Sequence, residues 1–301
     1  MTAKPHATFF LPEPLLGAAR AGDHNFLGQI ETVLREAGFE VGFQPPEAAR
    51  GSDPGYSLFH MREPLNPRGL TLRRAYYYPF WQIQRSNERW QWDVAQADFA
   101  GAEIDRAESA RFYGFWQKRL FAEHLGALSR DGYVYVPLQG RLLERRSFQH
   151  CSPIAMLHHV LQQEPRRPVI AALHPKEQYD AEEIATLEAL EAGTERLEIR
   201  IGEMAPLLAG CDYVVSQNSG AAFAGFFFGK PCVLFGRVDF HHIAANVADL
   251  GVAAAFERVR EMRPDYAGYL WWFLQCRAIN AGRPEAPERI RARLASFGWP
   301  V

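Results

Sequence analysis

Val169-Ile170-Ala171-Ala172-Leu173-His174-Pro175-Lys176-Glu177 is a run of five apolar residues broken by a His-Pro step. Such a run, bounded by turn formers, reads as a strand buried on both faces, the kind found in parallel sheets. Proline lacks an amide hydrogen and keeps the residue before it out of the helical region, so the strand ends at His174. A second stretch has the same form: apolar residues 213–215 run into Ser216-Gln217-Asn218-Ser219-Gly220. Each stretch precedes a helix-like segment, which puts both turns at the carboxyl edge of a parallel sheet. Open α/β sheets bind ligands at that edge. An imidazole, a lysine and a small-residue helix start suit the phosphates of a nucleotide.

Working outward, residues 133–235 alternate strand and helix. Strands are predicted at 133–137, 169–173, 197–201, 212–216 and 231–235, with helices at 152–163, 181–192, 204–209 and 219–228. Ser152-Pro153 opens the first helix as N-cap and first helical residue, while Gly193 and Gly229 stop two others. Five βα repeats at this spacing specify a parallel, doubly wound sheet.

The first half is less regular. Residues 26–37 have a clear helical period ended by Gly38, and 39–43 reads as a strand. Residues 8–11 form the preceding strand and 12–25 the connecting loop. The polar, Pro-containing run 62–74 reads as an exposed loop, and 109–125 as an aromatic helix. Helices are predicted at 266–279 and 286–297. The resulting division is a smaller α/β domain over 1–128, a Rossmann-like domain over 129–264, and C-terminal helices over 265–301. Trp271, Trp272 and Phe273 require an apolar partner, either by capping the sheet or by running back to bridge the domains.

The 301 residues are 48% hydrophobic with a net charge of −2, so bulk charge gives no signal for nucleic acid, and any anion site is local. Four widely spaced cysteines form no CxxC pair and read as reduced thiols of a cytoplasmic protein. Neither a signal-peptide pattern nor an apolar run of membrane-spanning length is present.

Candidate chemistry follows from position. His174 can donate to a phosphate or leaving-group oxygen, with Lys176 beside it; alternatively it closes a turn. Asn218 and Ser219 are preferred helix N-caps, and Gly220 keeps the turn small, which suits an anion or simply a capped helix. Gln217 belongs to the same turn. Gln139, after the strand at 133–138, projects from the same edge toward a base or sugar hydroxyl, or toward solvent. Asp239, His241 and His242 lack a second ligand cluster, so no metal is assigned. Asp23-His24, just before the helix at 26–37, offers a general base for an acceptor hydroxyl; Asp23 also suits an N-cap. Arg62, Arg68, Arg73 and Arg74 are either ligands for an acidic sugar or phosphate, or solvated. No phosphate-binding glycine loop follows any strand.

Taken in order, Tyr133-Val134-Tyr135-Val136-Pro137-Leu138-Gln139, Ser152-Pro153-Ile154, Leu173-His174-Pro175-Lys176-Glu177, Gln217-Asn218-Ser219-Gly220 and Gly229-Lys230-Pro231-Cys232-Val233-Leu234-Phe235-Gly236 resemble the capsule polysaccharide biosynthesis family. That family includes bacterial β-Kdo transferases that use CMP-Kdo, and the His-Pro plus Ser logic is similar to that of bacterial sialyltransferases. The resemblance spans roughly residues 130–245. It implies a GT-B architecture of two Rossmann-like domains with parallel sheets, the donor bound between them and the C-terminal helices crossing back. It implies a cytoplasmic glycosyltransferase with a nucleotide-sugar donor, a glycan or glycolipid acceptor and no cofactor or metal, and leaves room for peripheral attachment to an inner-membrane polysaccharide assembly. His174 and Ser219 are then expected at the donor phosphate. One departure is Ala224, which stands where family members often carry a glutamate. The alternatives are a non-catalytic nucleotide- or glycan-binding relative, and a sugar-nucleotide epimerase or hydrolase.

Overall fold

The computed structural model describes residues 4–301. Among these the chain forms β1 (His6–Phe10), β2 (Glu40–Gln44), β3 (Tyr56–His60), β4 (Gly69–Arg74), β5 (Phe80–Gln84), β6 (Val134–Pro137), β7 (Val169–Leu173), β8 (Leu197–Ile201), β9 (Tyr213–Ser216), β10 (Cys232–Leu234), β11 (Ala245–Asn246) and β12 (Ile279–Asn280). They make two six-stranded sheets in two compact units. The units divide at 97/98 and 271/272, whereas the sequence pattern suggests 128/129 and 264/265.

Unit 1 comprises residues up to Ala97 together with Trp272–Val301. Its sheet has the order β12-β5-β4-β3-β1-β2. Strands β2, β1, β3 and β4 are parallel, while β5 and β12 add an antiparallel edge. The helix Asn25–Glu36 buries Phe26, Leu27, Ile30, Val33 and Leu34 on this sheet, and Ala286–Ser296 joins the same core through Ile290 and Leu294.

Four strands here, β3, β4, β5 and β12, escape the sequence pattern. The run 62–74, expected as an exposed loop, instead enters the sheet as β4, with Gly69 to Leu72 buried. Gly69 permits that entry, because a Cβ there would lie 2.8 Å from Pro64 Cβ. Strands β3 and β5 are likewise absent from the sequence reading, and Leu15–Ala21 is helical within the expected loop 12–25. The helix predicted at 266–279 is α-helical over Tyr266–Leu270 and π-helical over Trp271–Cys276, after which pairing with β5 draws Ile279 and Asn280 into β12.

Unit 2, Asp98–Trp271, contains a fully parallel sheet of order β11-β10-β9-β6-β7-β8. The strands and helices expected over 133–235 are found with shifts of at most one residue at their ends, and the helix expected at 109–125 begins three residues earlier. Ser152 caps Pro153–Gln163, its Oγ accepting from Ala155 N at 3.2 Å, and Asp180 with Glu183 forms a capping box at Ala181–Ala192. The helix Arg106–Leu125 is fixed in this unit, where Gln117 Nε2 donates to Phe227 O at 2.5 Å and Tyr113 Oη to the same oxygen at 3.1 Å. Lys230 is buried, and its Nζ donates to Ser129 O and Cys211 O at 2.5 and 2.7 Å. The lysine of the Gly-Lys-Pro run is thus a structural tie.

Candidate functional site

The strand order of unit 2 reverses at β6, which lies between β9 and β7. A crevice opens at the carboxyl ends of strands where the order reverses in this way. Gln139 follows β6, His174 follows β7, and Gln217, Asn218 and Ser219 follow β9. The topology therefore brings the predicted donor residues to three adjacent strand ends, spanning about 10 Å across two strand spacings.

His174 is exposed, and its Nδ1 accepts the Lys176 amide at 3.2 Å. With Nδ1 occupied as an acceptor, the proton of the neutral ring resides on Nε2. His174 thus presents an N–H donor in either protonation state. The Tyr179 hydroxyl accepts the His174 amide at 2.9 Å and fixes the turn. Ser219 caps the helix Gly220–Phe227, its Oγ accepting from Ala221 N at 3.2 Å. The Ser219 amide is already taken by Ser216 Oγ at 3.1 Å, so the donor this residue retains for an anion is its hydroxyl hydrogen. Lys176 is exposed.

Residues that sequence reasoning missed complete the edge. The loop between β6 and the helix Pro153–Gln163 folds back over it: Gln149 bridges Gly236 after β10, and His150 N donates to Phe235 O at 2.7 Å. A Cβ at Gly236 would fall 2.8 Å from Gln217 O, so only glycine allows this approach. Gln217 Nε2 donates to Cys151 O at 2.9 Å, while its Oε1 is buried without a partner. Gln149 Oε1 accepts from Arg146 N at 2.8 Å, while its Nε2 is buried and unpaired. Gln139 Oε1 and Arg146 Nε and Nη2 are likewise buried and unpaired. The Arg146 guanidinium stacks 4.9 Å above Phe148, and its pKa is lowered by loss of hydration, with Arg141 nearby adding to the effect. Buried polar groups are nearly always hydrogen-bonded, so these four side chains, three from the loop after β6 and Gln217 after β9, have bonding capacity left for water or a bound molecule. No spacing rule could have found Arg146 or Gln149, because the loop has no periodicity.

In unit 1, His24 rather than Asp23 caps the helix Asn25–Glu36, its Nδ1 accepting Leu27 N at 3.3 Å. The ring packs edge-on to Trp81 at 5.4 Å, and burial lowers its pKa. In this bonding state Nε2 of His24 is a donor, and a base role at that atom requires the other tautomer. Asp23 is exposed beside it. The end of β3 adds His60, whose pKa is pushed down to about 4 by burial and by the charges of Arg73, His24 and Arg74. An imidazole, two arginines and the His24 ring thus meet at the carboxyl edge of this sheet, and His60 carries no sequence signal that singles it out.

His241 and His242 stack on each other at 4.3 Å, and His242 Nδ1 is 3.0 Å from the Tyr269 hydroxyl. Among the described residues no three His, Cys, Asp or Glu side chains gather as metal ligands. No helix among them is long and apolar enough to cross a membrane. Ala224 is fully buried.

No protein-family model matches the chain, and no curated protein matches it. Solved structures do. A KpsC structure from Thermosulfurimonas dismutans, described as a β-Kdo 2,7 transferase, superposes with a TM-score of 0.51 at 10% identity, covering 89% of each chain. A KpsC structure from the same organism, described as a β-Kdo 2,4 transferase, gives 0.45 at 13% identity over 89% of this chain and 90% of that one. The wall teichoic acid polymerase TagF gives 0.31 at 10% identity over 97% and 89%. The likeness to the first is one of fold: the chain has the α/β fold of GT-B glycosyltransferases.

Proposed function

We propose that the chain is a glycosyltransferase of surface-polysaccharide synthesis, working in the cytoplasm on a nucleotide-activated sugar and a glycan or glycolipid acceptor. CMP-Kdo is the proposed donor, in keeping with the motif resemblance and with the Kdo transferases that share the fold. The observation that carries the reading is the set of unsatisfied buried groups on Gln139, Arg146, Gln149 and Gln217 at the strand-order reversal. They offer two amide oxygens, one amide nitrogen and a guanidinium, which suits a base and an anionic sugar better than an apolar ligand.

In this mechanism His174 Nε2–H and the Ser219 hydroxyl donate to the leaving phosphate as charge grows on it, with Lys176 supplying a cation. Preorganised donors of this kind often contribute more to the rate than any other single effect. Asp23 is the proposed base for the acceptor hydroxyl, and His24, with its Nδ1 engaged, acts as a donor beside it. Gln217, Asn218 and Gly220 shape the turn.

The absence of a carboxylate at fully buried Ala224 favours a second reading, a non-catalytic binder. CMP release from CMP-Kdo, followed with and without an anionic oligosaccharide acceptor, separates these. A transferase releases CMP mainly when acceptor is present. Equal release without acceptor identifies a hydrolase; with no release under either condition, a changed sugar on the recovered nucleotide identifies an epimerase and an unchanged one a binder.

A further inference from the structure

Unit 1 contains a cavity of about 330 Å³ that the proposed chemistry does not use. It runs along β5 at Gln82 and Gln84, between Arg289 and Arg293 of the helix Ala286–Ser296 and the segment Cys276-Arg277. β12 pairs only with Phe80 and Trp81, so among the described residues the rest of this edge of β5 carries no further strand, and the cavity lies alongside it. Since β5 runs antiparallel to β4, with Gln84 opposite Thr71, the cavity extends away from the carboxyl edge that holds His60 and Arg74.

Its charge is one-sided. Three guanidiniums face one carboxylate, Asp93, which is already paired with Arg293. Arg293 Nε donates to Ile83 O at 2.8 Å and the guanidinium stacks 4.3 Å from Phe297, yet its Nη2 is buried without an acceptor. Arg289 is held by the carbonyls of Gln275 and Cys276 at 2.9 and 2.7 Å, and Arg277 lies 5.2 Å over the Trp272 ring. Neither forms an ion pair among the described residues, so their charges are fixed in place but not neutralised. Both also act on the Cys276 thiol, opposing the rise that burial imposes on its pKa, which places them around the same space. The volume is at the small end of ligand sites, about 300–1,000 Å³, and fits one sugar-sized molecule. Gln82 Nε2 donates to Arg277 O at 2.9 Å and Gln84 Nε2 to Gln82 Oε1 at 3.0 Å, which leaves Gln84 Oε1 to accept from a hydroxyl.

We propose that this cavity is a binding site for a small anionic molecule of monosaccharide size, carrying a carboxylate or a phosphate that the arginines hold. It is independent of the donor-site reading. Cys276 lines the cavity and reports on it directly. The rate of Cys276 alkylation by iodoacetamide, followed by peptide mass spectrometry on the full chain, is compared with glucose 6-phosphate, glucuronate and neutral glucose present. At about ten times its dissociation constant a bound ligand leaves about one site in eleven open, so alkylation slows about tenfold. Slowing by either anion but not by glucose, weakened by Arg277→Ala and by Arg293→Lys, supports the site, and the better anion identifies phosphate or carboxylate as its ligand. Equal slowing by glucose, no slowing by either anion at about 10 mM, or full protection retained in Arg277→Ala overturns it. Wild-type protein alone decides the first two outcomes if a variant does not fold.

Discussion

Replacing His174 by alanine is expected to lower kcat by about 10²–10³-fold while leaving the melting temperature within about 1 °C. The rate loss follows from removing a donor aimed at developing charge, for which that range is typical. The small stability effect follows from exposure: His174 sits outside the sheet, and its side-chain hydrogen bond is a local one from Lys176 N. Because Nε2 bears the hydrogen when the ring is neutral, His174→Gln, whose amide also donates, should recover part of the rate. Steady-state rates of CMP release with acceptor present check both variants. An alanine variant with wild-type kcat removes His174 from the mechanism.

The largest expected effect on stability lies elsewhere in unit 2. Glu164 caps the end of the helix Pro153–Gln163 and is 5% exposed. Its Oε1 accepts from the Tyr213 hydroxyl of β9 at 2.5 Å and from Arg260 Nη2 and Nε at 2.8 and 3.1 Å, and Arg167 approaches at 3.3 Å. One carboxylate thus ties a helix end to the central sheet and to the helix Val252–Glu261. Glu164→Ala leaves a buried tyrosine hydroxyl without its acceptor and takes the carboxylate from two arginines, of which Arg167 keeps Asp212 at 3.1 Å and Arg260 keeps Gln163 O at 2.9 Å. Breaking a buried pair costs about 3–5 kcal/mol, but both arginines reach solvent at their edges, so about 3 kcal/mol is expected. For units of this size that lowers the melting temperature by roughly 6–12 °C. Glu164→Gln keeps one acceptor and should lose about a third as much. Thermal unfolding of the two variants tests the ranking, and an alanine variant as stable as the glutamine one contradicts it.

How far the sequence could be read depended on how each strand is buried. The four inner strands of unit 2 are buried along their length and appear as apolar runs such as Val169–Leu173, and the helices between them carry caps at Ser152, Asp180 and Ser219. Those local signals agree with the fold they build. In unit 1 they conflict. β4 is Gly-Leu-Thr-Leu-Arg-Arg after two prolines, and its burial comes from pairing with β3 and β5, which no local pattern announces. β12 is two residues long and exists only through β5. The residues at the carboxyl edge were legible where strand ends carry them, at His174 and at Gln217 to Ser219. Arg146 and Gln149 belong to a loop that matters because it folds back onto Gly236, a long-range contact invisible to spacing. His24 shows the opposite failure, since an imidazole in the capping position runs against the usual preference for Asp, which stands next to it.

The claim that unit 2 binds a cytidine nucleotide at the reversal between β9 and β6 is tested most directly by thermal shift. The panel is CMP, CDP, UDP, GDP and ADP on the wild type and on Gln217→Ala, which deletes an unsatisfied buried amide oxygen. At about a hundredfold over its dissociation constant a nucleotide stabilises the fold by about 2.7 kcal/mol. Stabilisation by CMP, largely lost in Gln217→Ala, is the predicted result. No stabilisation by any nucleotide, or CMP binding that ignores the Gln217 substitution, contradicts it.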